Sequence, residues 1–213
     1  MQFRHDTIEL TQYPRVVIDG RRHYQIGHKC FPSITTVLGS TSDKSYLEDW
    51  KNKIGRDYAA KITAVSGGRG TNLHKMCEDY LNNNPLSVKM PDALEMFYSL
   101  KPILNRINNI RAQEACLYSD KLKVAGSVDC IAEFDKTLSV IDFKNSRRIK
   151  KQEDILDYFL QTTFYALAYR EMTGIPISQI VIIIAVENEQ PQIFIQQIRP
   201  YIKNLVERRK RFK

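Results

Sequence analysis

The sequence lacks the features that mark several common protein classes. Its four cysteines are Cys30, Cys77, Cys116 and Cys130, which are far apart and include no CxxC pair. This spacing argues against a structural zinc site and against an iron–sulfur cluster. The longest uninterrupted apolar run, residues 180–186, has the length of a strand and is too short to span a bilayer. We therefore expect no membrane association, and an intracellular, reducing compartment in which the thiols stay free.

Residues that break regular structure are also scarce. The chain has 9 glycines and 8 prolines among 213 residues, and it has no low-complexity tract or linker that would divide it. A chain of this length can bury a substantial hydrophobic core as one domain. We expect a single domain over residues 1–213, in which residues 1–68 form an N-terminal extension and residues 69–213 form the core.

Acidic residues are outnumbered by basic ones. Lys and Arg total 32 against 24 Asp and Glu, which gives a formal net charge of +8 and a pI of about 9.3. Such an excess favours a polyanionic partner, and nucleic acid before a membrane surface. Asp6, Glu9 and Asp19 interrupt the N-terminal stretch, which is not typical of a transit peptide.

Hydrophobic periodicity separates a mainly helical first half from a mixed second half. The elements predicted in the first half are a hairpin within 7–28 that turns at Asp19-Gly20, a short helix from Ser33 to Gly39, and helices at 45–65, 69–81 and 91–105, with a break at 66–68. The elements predicted in the second half are strands at 112–118, 124–134, 138–143, 180–186 and 192–197, and helices at 155–172 and 201–213. This order predicts an α/β fold with a mixed central sheet flanked by helices, preceded by an N-terminal hairpin and a helical extension.

The second predicted hairpin, residues 126–144, carries the most informative charged residues. Asp129 lies in its first strand, and Asp142 and Lys144 lie two residues apart at the end of its second strand, on one face. Carboxylate oxygens together with the backbone carbonyl of Phe143 are the ligands that a hard cation such as Mg²⁺ prefers. A lysine beside such a site can orient a water and stabilise charge on a phosphoryl oxygen. Taken alone, the Asp142–Lys144 pair fits a surface ion pair equally well.

Further candidates lie in three neighbouring elements. Glu114 is a carboxylate in the preceding strand, on the face of Ala112, Cys116 and Tyr118 by strand alternation. His74 lies about one turn into the predicted 69–81 helix, and a neutral imidazole is a common metal ligand. Both residues also fit roles without chemistry. Glu114 fits a carboxylate at the rim of the sheet, and His74 fits an ordinary helix histidine.

The helix predicted at 155–172 contributes a pair of polar side chains. Gln161 and Tyr165 are four residues apart and therefore share one face of the helix. The buried stripe of the helix can be supplied by Tyr158, Phe159, Phe164 and Leu167. Gln161 and Tyr165 are then free to face the hairpin. A position at the edge of the core explains the pair equally well.

Taken together, these motifs resemble the RecB-like branch of the PD-(D/E)xK nuclease superfamily. The matching stretches occur in the expected order and are Gly70-Thr71-Asn72-Leu73-His74, Gly126-Ser127-Val128-Asp129, Asp142-Phe143-Lys144 and Gln161-Thr162-Thr163-Phe164-Tyr165. The upstream Pro32–Leu38 stretch and the helix that contains Trp50 also resemble the mitochondrial genome-maintenance exonucleases and their phage relatives. The cysteines that hold the iron–sulfur cluster of some RecB-like nucleases are missing, which implies a compact member without a cluster.

The resemblance implies a restriction-endonuclease-like core and a role for each candidate. His74, Asp129, Asp142 and the Phe143 carbonyl would bind Mg²⁺ or Mn²⁺, with Glu114 assisting. Lys144 would be the catalytic lysine, and Gln161 and Tyr165 would order the site. The residues expected to contact DNA are Ser33, Thr35 and Thr36 at a helix start, Arg69, and the basic loop formed by Arg147, Arg148, Lys150 and Lys151.

The implied activity is a metal-dependent exonuclease that prefers single-stranded DNA with a free end, in replication, repair or recombination. We expect a monomer that contacts replication or recombination proteins, in the cytoplasm of a bacterial or phage-infected cell, with the mitochondrial matrix as the alternative. A structure-selective endonuclease and a nuclease-dead DNA-binding subunit are the competing hypotheses. The basic C-terminal residues 208–213 either extend the DNA track or form a frayed terminus.

Overall fold

The computed structural model describes residues 2–43 and 45–213. The strands within these ranges form two sheets and are β1 (Arg15–Ile18), β2 (Arg21–Ile26), β3 (Lys29–Pro32), β4 (Ile107–Ser119), β5 (Val124–Phe134), β6 (Thr137–Ser146), β7 (Gln179–Val186) and β8 (Gln192–Gln197). The α-helices are α1 (Ile34–Thr41), α2 (Ser45–Ile54), α3 (Arg56–Leu81), α4 (Pro91–Leu104), α5 (Leu156–Thr173) and α6 (Ile202–Arg211). None of the helices in this part of the chain has both the length and the apolar character needed to cross a bilayer.

The central sheet has the order β4-β5-β6-β7-β8. The pair β6–β7 is parallel and the other pairs are antiparallel. A parallel pair needs a long crossover, and α5 supplies it between β6 and β7. The prediction of an α/β fold with a mixed central sheet is therefore confirmed.

Helices cover both faces of this sheet. On one face, buried side chains of α1, α5 and α6, such as Ile34, Phe164 and Leu205, form one hydrophobic cluster with the strands. On the other face, α3 and α4 form a second cluster, to which Met76 and Phe97 belong. The sheet is thus the middle layer of three, and its strands carry long apolar runs because they are buried on both sides.

The N-terminal hairpin forms as predicted and gains a third strand. β1 and β2 are antiparallel around Asp19 and Gly20, which both have positive φ values (50° and 70°), as a tight two-residue hairpin turn requires. β3 extends the sheet, and Tyr24 and Phe31 pack on Cys116 and Ala125 of the central sheet. This contact places the small sheet beside the β4–β5 hairpin.

Two predicted breaks in the first half are wrong. α1 continues past Gly39 to Thr41, where Ser42 caps it. α3 continues through residues 66–68, and the break lies earlier, at Gly55, whose φ is 90°. A glycine costs about 1 kcal/mol in a helix, and burial of the C-terminal half of α3 exceeds that cost. Because α3 is continuous, our boundary between residues 68 and 69 does not coincide with the end of an element.

Candidate active site

A cavity of about 540 Å³ lies where α3, the β4–β6 strands, α5 and the N-terminal sheet meet. The candidate residues that line it are Ser33, Thr35, His74, Glu114, Asp129, Lys144, Gln161 and Tyr165. Asp142 lies directly behind this wall and is only 1% exposed. The fold therefore gathers into one place residues that are up to 132 positions apart in the sequence.

The β5–β6 hairpin holds its two aspartates side by side. The register that pairs Cys130 with Ile141 places Asp129 beside Asp142. The backbone N–H of Phe143 donates to Asp129 Oδ2 at 2.8 Å, which orients that carboxylate. The Phe143 carbonyl stays a predicted ligand. The hairpin thus holds two acidic groups on neighbouring strands, one of which lines the cavity while the other is buried behind it.

His74, Glu114 and Asp129 form the group best suited to a metal ion. One ligand atom of each lies within 4.8 Å of the other two, and His74 Nδ1 is 3.3 Å from Asp129 Oδ2. Oxygen ligands of Mg²⁺ lie about 2.0 to 2.1 Å from the ion, so two ligands of one ion are at most about 4.2 Å apart, and these atoms lie close to that range. The donor set, one imidazole and two carboxylates, therefore fits a divalent cation. Asp142 lies outside this group, and its role as a ligand stays a prediction.

Asp142 is the centre of a second set of contacts. It forms an ion pair with Lys144, and Gln161 Nε2 donates to Asp142 Oδ1 at 3.3 Å. The same Gln161 amide donates to the Tyr165 hydroxyl, also at 3.3 Å. The Lys144 ammonium lies 5.2 Å from the centroid of the Tyr158 ring, in a cation–π contact. One network of contacts therefore connects four predicted site residues, Asp142, Lys144, Gln161 and Tyr165.

The pKa values reflect this crowding of charge in a buried place. Burial raises the pKa of Glu114 to about 7, and the Asp129 carboxylate adds to the shift. Burial likewise raises the pKa of Asp142 to about 6, although the Lys144 ammonium opposes it. Both carboxyl groups ionise more easily when a cation neutralises their surroundings. A divalent cation and the lysine are thus the natural partners of these groups.

The two remaining charged groups respond to each other. Burial opposes the charged form of His74, but the Asp129 carboxylate outweighs burial and raises the His74 pKa. Burial also opposes ionisation of Asp129, but His74 and Lys144 outweigh it and lower the Asp129 pKa. Asp129 therefore stays ionised, as a metal ligand must.

Gly70 and Gly126 of the motifs lie where a larger side chain would collide with a neighbour. A Cβ on Gly126 would lie 2.9 Å from Tyr165 Cε1, and a Cβ on Gly70 would lie 2.7 Å from Asn145 Oδ1. Gly126 therefore lets α5 bring Tyr165 against β5. Gly70 lets α3 approach β6 next to Lys144, and this approach places His74 over the hairpin.

Glu114 occupies an irregular point in the sheet. Its φ is 47°, in the left-handed region that few non-glycine residues adopt. Ala112 and Ala115, three residues apart, pack in the same cluster, so side-chain alternation is interrupted between them. The prediction that Glu114 shares a face with both Ala112 and Cys116 is therefore wrong, because Ala112 and Cys116 pack in different clusters. Such irregularities often re-aim a side chain at an active site.

The candidate DNA contacts are divided between several environments. Ser33 caps α1 by accepting from the Thr36 N–H at 3.0 Å, and its hydroxyl also contacts Thr35 and Thr36. Thr36 Oγ1 donates to the Arg22 carbonyl. In the loop after β6, Arg147 and Arg148 are exposed, and Lys150 N–H donates to Gln192 Oε1 at 2.8 Å. Lys151 is also exposed, at the start of a short 3₁₀ turn.

Arg69 is the exception among these candidates. Its side chain is buried, and its guanidinium contacts Asp92 Oδ2 at 3.4 Å and Glu187 Oε2 at 3.2 Å. These ion pairs join α3 to α4 and to the end of β7. The geometry does not support a DNA contact for Arg69, because its charge is already compensated inside the protein.

Several residues of the cavity wall were not predicted from the sequence. Arg15, Arg22 and Tyr24 of the N-terminal sheet line the cavity, as do Lys75 and Glu78 of α3. The hairpin register, which pairs Arg15 with Tyr24 and Val17 with Arg22, places the first three on one face. The Asp19-Gly20 turn implies that register, but the sequence did not indicate which surface this face would meet.

Comparison with known proteins agrees with this geometry. The PD-(D/E)XK nuclease superfamily matches residues 47–208, and the chain belongs to this superfamily. It is similar to Mitochondrial genome maintenance exonuclease 1 of Xenopus tropicalis, at 29% identity over 161 residues that cover 71% of this chain and 46% of the relative. The human protein of that name is 31% identical over 143 residues, covering 62% and 40% of the two chains.

The chain spans less than half the length of these curated relatives. A crystal structure of a candidate exonuclease from Eubacterium rectale superposes with a TM-score of 0.45 at 12% identity, covering 67% of this chain and 64% of that chain. The family match and the residues of the cavity thus agree on membership of the PD-(D/E)XK nuclease superfamily.

Proposed function

We propose that the protein is a metal-dependent exonuclease that hydrolyses the phosphodiester bonds of single-stranded DNA from a free end. The observation that carries this proposal is the cavity in which a His74–Glu114–Asp129 group suited to a cation adjoins the Asp142–Lys144 pair. Family membership supports a nuclease, and the names of the similar relatives support exonuclease action.

The metal chemistry follows from the donor set. His74, Glu114 and Asp129, with Asp142 and the Phe143 carbonyl as predicted further ligands, would hold Mg²⁺ or Mn²⁺. Such an ion lowers the pKa of a bound water and neutralises charge at the phosphate. Lys144 contributes a positive charge where the phosphoryl oxygens become more negative, and Asp142 holds that ammonium in place. Gln161 fixes Asp142 and Tyr165 in turn.

The substrate proposal rests on charge and on the shape of the site. The loop with Arg147 and Arg148 leaves the end of β6, the strand whose Lys144 lines the cavity. Both side chains are exposed, and Arg147 also forms an ion pair with Glu187 at 3.5 Å. The helix start at Ser33 and Thr35 lines the same cavity. We infer that these groups bind the phosphates of a single strand, as a monomer that works with replication or recombination proteins.

The cellular setting is part of the proposal. A role in DNA replication, repair or recombination fits an exonuclease that acts on free ends. We propose the cytoplasm of a bacterial or phage-infected cell as the location, with the mitochondrial matrix as the alternative that the names of the relatives favour.

Digestion of DNA labelled at either end tests the activity. With Mg²⁺ or Mn²⁺ we expect stepwise degradation of linear single strands, slower degradation of duplexes, and no reaction in EDTA. Asp142→Asn and Asp142→Ala should reduce cleavage at least about 100-fold while DNA binding persists. Asp120→Ala is the matched control, because Asp120 is a surface carboxylate paired with Lys29 and Lys123. If both Asp142 variants cleaved like wild type in Mn²⁺, the site assignment would be wrong.

A closed single-stranded circle separates the competing activities. An exonuclease that requires an end leaves the circle intact and degrades the same strand after linearisation. Cutting of the circle would identify a structure-selective endonuclease instead. Binding of DNA without hydrolysis under every metal condition would identify a nuclease-dead subunit.

A further inference from the structure

Two arginines of the N-terminal sheet line the candidate catalytic cavity, although they lie far from the catalytic motifs in the sequence. Arg15 of β1 and Arg22 of β2 both line the cavity that contains Glu114, Asp129 and Lys144. Both residues precede the segment that the nuclease superfamily matches, which begins at residue 47. These two positive groups therefore line the candidate active site from outside the segment that the superfamily match covers.

The hairpin geometry directs both side chains to the same place. Arg15 is paired with Tyr24 and Val17 with Arg22, so Arg15 and Arg22 are diagonal neighbours on one face of the β1–β2 pair. Diagonal neighbours are about 7 to 8 Å apart, which long side chains bridge easily. Two guanidinium groups on this face can therefore converge on one anion. Arg21, the next residue along β2, points to the other face.

The charges of these two arginines are not compensated within the protein. Throughout residues 2–43 and 45–213, neither guanidinium forms an ion pair with a carboxylate, whereas those of Arg69, Arg106 and Arg208 do. Arg15 instead contacts Tyr24, with its guanidinium 5.8 Å from the ring centroid and a hydrogen bond to the side chain. An exposed arginine that forms no ion pair with a carboxylate and lines a cavity is well suited to bidentate binding of a phosphate.

The surroundings favour a phosphate over a carboxylate ligand. The hydroxyls of Ser33 and Thr35 line the same cavity, and β2 is joined to that helix start because Ser33 N–H donates to the Arg22 carbonyl at 2.9 Å. Both hydroxyls can donate to the oxygens of an anion that the two guanidinium groups bind.

We propose that Arg15 and Arg22, with the Ser33 and Thr35 hydroxyls, form a phosphate subsite that holds the DNA strand next to the bond being cleaved. This proposal rests on the proposed nuclease function and names a positioning role within it. The ligand is a phosphate of the strand, which is either an internal backbone phosphate or a phosphate at the strand end.

Binding of short single strands in the Asp142→Asn background tests the subsite. We expect Arg15→Ala and Arg22→Ala each to weaken binding about tenfold, because each removes charge-assisted hydrogen bonds. Each should also reduce the slope of log K against log salt by about 0.7. Arg15→Lys and Arg22→Lys should restore the salt slope but only part of the affinity, since the bidentate fork is lost.

Arg21→Ala is the matched control. It removes the same charge from the adjacent position, on the face that meets Phe212 rather than the cavity. We expect Arg21→Ala to bind like the parent protein, and thermal unfolding should show all these variants folded. If Arg15→Ala and Arg22→Ala also bound like Arg21→Ala, the subsite would be refuted.

Strands with a phosphate or a hydroxyl at each end distinguish the two sources. If a terminal phosphate fills the subsite, its removal weakens binding to the parent protein, and the arginine variants no longer discriminate. If a backbone phosphate fills it, all strands lose affinity equally in the variants. In the cleaving protein the same substitutions should raise KM more than they lower kcat. If the wild-type protein did not cleave DNA at all, the nuclease function would be refuted. The binding comparison tests the subsite separately.

Discussion

At Glu114 a single residue combines backbone strain with an unfavourable charge. Its φ of 47° is costly for a residue with a side chain, and burial raises its pKa to about 7. Both features are explained by its position within 4.8 Å of the His74 and Asp129 ligand atoms. The residue is poorly placed for stability and well placed for a cation, which is common where function is selected over stability.

The pH dependence of stability should report this conflict. Without metal, the folded protein keeps the Glu114 proton up to about pH 7, whereas the unfolded chain releases it near 4.5. Folded protein thus binds more protons in this window, so its stability falls as pH rises from about 4.5 to 7. In Glu114→Gln we expect the decrease in the free energy of unfolding over this pH range to be smaller by on the order of 1 to 3 kcal/mol.

Urea denaturation in EDTA at several pH values measures this effect. Glu95→Gln, at an exposed position on α4, is the control and should follow wild type. Mn²⁺ should stabilise wild type at pH 7.5 by more than it stabilises Glu114→Gln, because binding to the folded state adds to stability. Parallel pH profiles for wild type and Glu114→Gln would contradict the assignment.

At the scale of an element, α3 shows how tertiary contacts decide where a helix ends. Gly67 and Gly68 are exposed and would end many isolated helices, yet α3 runs from Arg56 to Leu81. A Cβ on Gly68 would lie 3.6 Å from Met90 Sδ, an ordinary contact, whereas one on Gly70 would collide with Asn145. Two glycines separated by one residue therefore have different roles.

Alanine substitutions should separate these roles. Gly68→Ala should stabilise the protein by about 0.5 to 1 kcal/mol through helix propensity. Gly70→Ala should not stabilise it, because the Asn145 side chain must move and lose its 3.1 Å hydrogen bond to the Ser66 carbonyl. Activity should also fall, since Asn145 follows Lys144 directly.

A double-mutant cycle with Asn145→Ala provides the decisive comparison. In that background the steric conflict is gone, so Gly70→Ala should stabilise the protein about as much as Gly68→Ala does. Free energies from denaturation give the coupling. A Gly70→Ala variant as stable and as active as Gly68→Ala in the parent protein would show that the close approach is unimportant.

At the scale of the whole molecule, the basic C-terminal helix acts as a clamp. Arg208 is 8% exposed, and it donates to Thr41 Oγ1 and to the Leu38 carbonyl at 2.7 Å each. It also contacts Asp157 of α5 at 3.1 Å. α6 thereby joins α1, whose start lines the cavity, to α5, which carries Gln161 and Tyr165. The C-terminus is helical up to Arg211, so the alternative of a frayed terminus is wrong for that segment.

Removal of the clamp should weaken the whole fold. Arg208→Met should reduce stability by about 1 to 3 kcal/mol, because the buried hydrogen bonds of the guanidinium to Thr41 and to the Leu38 carbonyl are lost together. The partly exposed Asp157 contributes little. Lys210→Met, on the same helix but exposed, should change stability by less than about 0.5 kcal/mol. Equal urea midpoints for the two variants would show that Arg208 is not structural.

Local geometry explains how much of the site could be predicted. Asp142 and Lys144 share a face because strand residues two apart always do, and Gln161 and Tyr165 share one because helix residues four apart do. The Asp19-Gly20 turn likewise implied the hairpin and its register. The sequence by itself therefore determined most of the elements, the mixed sheet and the principal charged residues, but not β3 or the ends of α1 and α3.

Only the tertiary structure decided which of these elements meet. The burial of Arg69, the irregular backbone at Glu114 and the continuity of α3 all depend on residues distant in the chain. The same is true of the N-terminal hairpin, whose arginines reach the cavity only because Tyr24 and Phe31 pack on the β4–β5 strands. Short spacings are properties of one element, whereas a cavity is a property of packing between elements, and that packing is not encoded in any local pattern.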